Sequence, residues 1–111
     1  MAITQNPTIQ NGALITAQGQ KTFTNITTKT AVKSTSGRIA KVNVITAATG
    51  SNPGTVYDAV STASATGSAT IIASIPDVVG IYNVDMPVSN GIVIAPGTNG
   101  TATQTVVVSY I

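Results

Sequence analysis

The chain reads as all-β: an antiparallel β-sandwich, jelly-roll-like in its strand spacing, with an extended N-terminal arm. Three observations predict this. Val, Ile and Thr supply 45 of the 111 residues, against one Leu and no Glu. Branching at Cβ restricts χ1 in a helix and packs well on a pleated sheet. Short runs of these residues recur at roughly ten-residue spacing, divided by Gly, Pro, Asn and Ser, which is the rhythm of a sandwich or jelly roll. Finally, 111 residues make one domain, and only 7% of them are charged, so the high-charge, low-hydrophobicity signature of disorder is missing. Residues 1–20 form the arm and 21–111 the sandwich domain.

The arm is polar, amide-rich and broken by Pro7 and Gly12, and four of the five Gln residues precede Lys21. It holds at most one short strand, at 13–16; its composition would equally suit a frayed terminus. Strand signals begin at Thr22. Residues 23–28 are Thr-rich and free of breakers, 30–35 alternate weakly, and Ser36-Gly37 marks a turn. Residues 38–46 are the clearest strand, with Ala40, Val42 and Val44 on one face and Lys41 and Asn43 on the other, the period-two pattern of a half-buried strand. Turn residues at 50–54 separate it from a strand at 55–60.

Residues 61–69 are low in complexity and predict an exposed loop. A strand at 70–75 closes at Pro76, and another at 80–88 places Tyr82, Val84 and Met86 on a shared face. Asn90-Gly91 then predicts a tight hairpin into 92–95, because both residues accept the positive φ of that turn. Pro96-Gly97 and Asn99-Gly100 lead into a last strand at 103–111. This last strand is apolar on both faces and carries no charge or Pro, so as an open edge it would invite aggregation. It must be central in a sheet or covered by another subunit. The second option makes Val107, Ser109 and Ile111 oligomer-interface candidates; the first is a central strand in a monomer.

The residue inventory narrows the chemistry. Without Cys or His there is no disulfide framework, thiolate site, imidazole base or Ser-His-Asp triad. No Trp, one Phe and three Tyr stock a stacking platform poorly. The only side-chain carboxylates are Asp58, Asp77 and Asp85. They read as a strand-end turn acceptor, a turn or cap residue and an outward strand residue, with no calcium-loop spacing among them. A non-enzymatic structural or binding module without cofactor or metal is the expectation. All five basic residues (Lys21, Lys29, Lys33, Arg38, Lys41) precede position 42 and all three acidic ones follow it, for a net charge of +2. Five cations without aromatic interleaving argue little for nucleic acid. The Asn25 and Asn99 sequons read as chance matches, and the Thr content lacks the short repeat of an ice-binding array. No signal peptide or membrane-spanning run is evident, which fits synthesis in a cytoplasm.

One resemblance rests on a succession of segments. Gly37-Arg38-Ile39-Ala40-Lys41-Val42-Asn43-Val44 leads to Gly54-Thr55-Val56-Tyr57-Asp58, then Ile72-Ala73-Ser74-Ile75-Pro76. Asp85-Met86-Pro87-Val88-Ser89-Asn90-Gly91-Ile92-Val93-Ile94 follows, and Val106-Val107-Val108-Ser109-Tyr110 closes it. The series resembles the capsid cement, or decoration, proteins of tailed bacteriophages, through strand and turn positions rather than chemical motifs. The resemblance implies a compact β-sandwich, often a homotrimer, on the outside of an icosahedral head, made in the host bacterial cytoplasm and bound to the major capsid protein. It implies no catalytic residues. Several such families reach the shell with an N-terminal arm, which makes Gln5, Asn6, Ile9, Gln10, Lys21, Lys29 and Lys33 candidates for capsid contact. The rival expectation is a tail or head-fibre domain that binds a host receptor.

Overall fold

The computed structural model describes residues 19–49, 52–98 and 102–111. The strand expected at 13–16, the arm candidates Gln5, Asn6, Ile9 and Gln10, and the Asn99-Gly100 turn lie outside the described residues. Eight strands follow in order: β1 (Lys21–Ile26), β2 (Thr30–Lys33), β3 (Gly37–Thr46), β4 (Gly54–Tyr57), β5 (Ile71–Ile75), β6 (Gly80–Val88), β7 (Ile92–Ala95) and β8 (Thr105–Tyr110). A 3₁₀ turn, Ser68–Thr70, precedes β5.

The strands form two four-stranded antiparallel sheets, ordered β1-β8-β3-β6 and β2-β7-β4-β5. Each of the first four strands therefore lies beside one of the last four: β1 with β8, β2 with β7, β3 with β6, β4 with β5. That is a long two-stranded ribbon wound into a sandwich, the strand order of a jelly roll. Between the sheets lie Ile26, Ile39, Val42, Val44, Val56, Ile75, Val88, Ile92, Ile94, Val106 and Val108. Every one of these is Ile or Val. The β-branched residues that predict strands are thus the same ones that fill the core, each burial worth about 1.5–3 kcal/mol.

All four edge strands depart from regular pairing. In β1, Thr24 and Asn25 oppose the single residue Val107, with Asn25 at φ 58°. In β6, Val84 and Asp85 oppose Ala40, with Asp85 at φ 52°. The register also slips by one at Val32 in β2 and at Ile72 in β5. An extra residue twists a strand and breaks its row of unpaired backbone groups, so these bulges blunt the edges of a protein with few charges to do it.

Two expectations need correction. The residues after Val88 do not make a hairpin: β6 and β7 lie in different sheets, and Asn90-Gly91 turns the corner between them without positive φ at either residue. The 61–69 loop is exposed along most of its length, as expected, and Ala65 alone is buried in it, with Ala59 and Val93 beneath and Tyr57 alongside. It folds over the outer face of the second sheet. Alternation in β3 holds for Val42 and Val44 but breaks at Ile39 and Ala40, which are both buried because Ala40 is an extra residue against β8.

The last strand takes the central option. Between β1 and β3, β8 is paired along both sides, and Val106 and Val108 are fully buried. An apolar strand in this position needs no second subunit to protect its backbone.

Candidate functional site

The carboxylates come first, because they are the only acid–base groups of their kind in the chain. Asp58, just past β4, accepts the amide N–H groups of Ser89 at 3.0 Å, Asn90 at 2.8 Å and Gly91 at 3.2 Å. Burial pushes its carboxyl up, but the three amide bonds outweigh that and hold it below the ordinary carboxylate value. Asp58 therefore does what a turn acceptor does, at long range: it ties the β4 end to the corner between β6 and β7. Gly91 is there for close approach, since a Cβ would run into the carbonyl oxygens of Ala59 and Lys33.

Asp77 performs the same task at the other end of the sandwich. Its carboxylate accepts the amides of Ala48 at 2.6 Å and Asn52 at 2.9 Å, fixing the connection from β3 to β4. Gln104 completes this junction. Fully buried, it donates Nε2 to the Pro76 carbonyl at 2.9 Å and accepts the Gly97 amide at 2.9 Å. Asp85 accepts from the Arg38 guanidinium at 2.6 and 3.1 Å, and its own carbonyl accepts from Nη2 at 2.9 Å. That pair clasps the β6 bulge from the neighbouring strand. Each carboxylate thus holds a loop or an edge in place, and among the described residues no three metal-ligating side chains converge.

The cations divide into two groups. Lys29 reaches across the second sheet to donate to the Ala65 carbonyl at 2.6 Å, with its ammonium 5.3 Å from the Tyr57 ring centroid. It holds the 61–65 loop against Val93, and this inward role sets it apart from the other capsid-contact candidates. The other four cations gather at one end. Lys21 pairs with Tyr110 across the β1–β8 ladder, and Lys41 with Ser109 across β3–β8. Arg38 exchanges backbone bonds with Ile111 at 3.1 and 2.9 Å. A Cβ on Gly37 would meet both the Ile111 carbonyl and the Lys33 Cε, so the Lys33 chain lies beside them. Among the described residues, only Arg38 forms an ion pair.

The arm joins the body at this same end. Gln20 donates its amide to the Tyr110 carbonyl at 2.8 Å, and Gly19 packs against Ser109 and Tyr110. Lys21 and Lys33, predicted as contact residues, are brought together here. Lys41 and Arg38 were not predicted; their proximity to the others arises from the β3–β8 pairing, which no local pattern reveals.

The interface candidates on β8 lie elsewhere than the most exposed apolar surface. Val107, Ser109 and Ile111 are half-buried, and Ser109 Oγ accepts the Lys41 amide at 3.2 Å. Val78, Val79 and Ile81, 61–68% exposed, lie at the opposite end, around the start of β6. Clefts lined by described residues open on the surface. One of about 240 Å³, beside Asp58, is lined by Ala59, Val60, Ser64, Thr70 and Asn90. Another, about 330 Å³, is lined by Thr27, Thr28, Lys29, Ala95, Pro96, Thr98 and Thr103.

Compared with protein-family models, curated proteins and solved structures, the chain returns no significant match.

Proposed function

We propose that this chain is a non-enzymatic virion protein that binds the outside of a phage capsid and stabilises the expanded shell, with the major capsid protein as its partner. The observation that carries this reading is the meeting of the arm junction, the ends of β1 and β8, and a cluster of four cations, Lys21 exposed and Lys33, Arg38 and Lys41 half-buried, at one end of the sandwich. Such an end suits docking on a preformed surface, with the body projecting outward. The segment succession from residue 37 onward adds the resemblance to cement proteins. The carboxylates add to it by serving the frame, as expected of a scaffold whose function lies in contacts.

A cement acts by mass action. It stabilises the expanded shell only to the extent that it binds that form better than the unexpanded one. A homotrimer would link three such contacts, so modest interfaces would combine into firm attachment when the geometry lets all engage.

A second reading, a fibre or tail domain binding a host receptor, draws on the cleft beside Asp58. Its Ser64, Thr70 and Asn90 side chains offer polar contacts to a small ligand. Co-sedimentation of the full chain with expanded heads, unexpanded procapsids and host cells separates the two. Saturable binding to expanded heads alone supports the cement; binding to cells alone transfers the case to the receptor reading.

A further inference from the structure

We infer that the end of the sandwich bearing Lys21, Lys33 and Lys41 around residues 109–111 is a docking surface for an acidic protein face. The inference rests on the cement reading for the identity of that face, which would be the outer surface of the capsid shell.

The charge arrangement carries the argument. Four of the five cations, Lys21, Lys33, Arg38 and Lys41, surround the last residues of β8. Two carboxylates share this end, Asp58 on the corner amides and Asp85 on Arg38. Lys29 stands apart, bonded to the Ala65 carbonyl over Tyr57, Asp77 lies at the opposite end on Ala48 and Asn52, and residues 1–18 contain no charged side chain. The four cations and two carboxylates at this end leave it a local excess of positive charge. Arg38 is occupied by Asp85, whereas Lys21, Lys33 and Lys41 form no ion pair among the described residues.

Flexible, strongly hydrated lysine ammoniums steer an approaching surface and set its orientation. They do so without the rigid bidentate geometry that arginine brings to phosphate. Tyr110, beside them, is half-buried against the core, which makes it a poor stacking platform for a base. An acidic protein surface therefore fits this end better than a nucleic acid does. Gln20, whose amide bonds to the Tyr110 carbonyl, lies in the same contact region.

The test is a titration of the ¹⁵N-labelled full chain with poly-L-glutamate and, separately, with duplex DNA at low salt. Shifts confined to Lys21, Lys33, Lys41 and residues 109–111, driven by poly-L-glutamate and reversed by salt, are expected. No shifts, or shifts elsewhere, would overturn the inference, and shifts driven by DNA alone would assign the surface to nucleic acid instead. A triple variant, Lys21→Glu, Lys33→Glu and Lys41→Glu, should lose about tenfold or more in affinity for the polymer, while the matching Lys→Arg triple keeps it. If the Glu variant does not fold, Lys→Gln replacements serve the same purpose. Head binding by the wild type that the triple variant retains in full would contradict the docking surface and leave the cement reading standing. Polymer binding at this end without any head binding would do the reverse.

Discussion

The Asp58 carboxylate holds the Asn90 amide at 2.8 Å across 32 residues of chain, and with the flanking amides of Ser89 and Gly91 it fixes the corner that passes the chain from one sheet to the other. A dipeptide that locally favours a hairpin is thereby turned into a crossover. The jelly-roll order requires that crossover, because β6 must pair with β3 and β7 with β2 and β4.

This contact makes stability depend on acid in a defined direction. The folded-state pKa of Asp58 lies below its unfolded value, so the unfolded chain takes up the proton first as pH falls. Its contribution is fully present above the unfolded pKa and disappears as pH drops through the folded one. Asp58→Ala should cost about 1 kcal/mol near neutrality, at the low end for an acceptor of several amides because water reaches the site. Thermal unfolding of wild type and variant between pH 7 and pH 2 should show two curves converging on the acid side. A constant gap would contradict the assignment.

Two glycines separate space from conformation. At Gly91 the backbone is unstrained but the Ala59 and Lys33 carbonyls leave no room for a methyl group. At Gly67 the space is open but φ is +71°. Gly67→Ala should therefore cost about 1–3 kcal/mol, because φ 71° with ψ 165° is a backbone conformation essentially confined to glycine. Gly91→Ala should cost about 2 kcal/mol or more, because backbone atoms must move. Urea unfolding of the two variants checks both losses, and wild-type stability of Gly91→Ala would show that the corner relaxes around the added methyl group.

Lys29 provides a local test. Replacing it with Met keeps the aliphatic stem but removes the bond to the Ala65 carbonyl and the charge over Tyr57. An exposed cation–π contact is worth about 0.5–1 kcal/mol, so the global loss should be small. Amide exchange across 61–66 should quicken while that of β3 and β8 stays unchanged. Unaltered exchange in the loop would show that Ala59, Ala65 and Val93 hold it without the lysine.

The arm can be cut cleanly only before Gly19, because Gln20 and Gly19 are packed on Tyr110 and Ser109. Deletion of residues 1–18 should leave the unfolding temperature within a few degrees of wild type and abolish or sharply weaken binding to expanded heads. Full head binding by the truncated chain would remove the arm from the contact and leave attachment to the sandwich alone.

The fold class was legible because the signals that carry it are local: Ile and Val in short runs, with turn residues between them. The core follows from the same residues. What escaped are features made by distant partners. Asn90-Gly91 looks like a hairpin until Asp58 captures its amides. Gln104 carries no local sign that it joins Pro76 to Gly97, and a run of Ser, Thr and Ala hides that Ala65 covers Val93. The bulges at Asn25 and Asp85 sit in sequences that alternate no differently from their neighbours. Of the docking end, Lys21 and Lys33 were visible as cations, but their meeting with Lys41 at the end of β8 depends on strand order.

The cementing role itself is tested most directly by the heat resistance of expanded heads, measured with and without saturating protein. Decoration should raise the temperature at which the shells disrupt, and the rise should grow with protein concentration, as expected for a ligand of the expanded form alone. Heads that carry the protein at full occupancy yet disrupt at the undecorated temperature would contradict it.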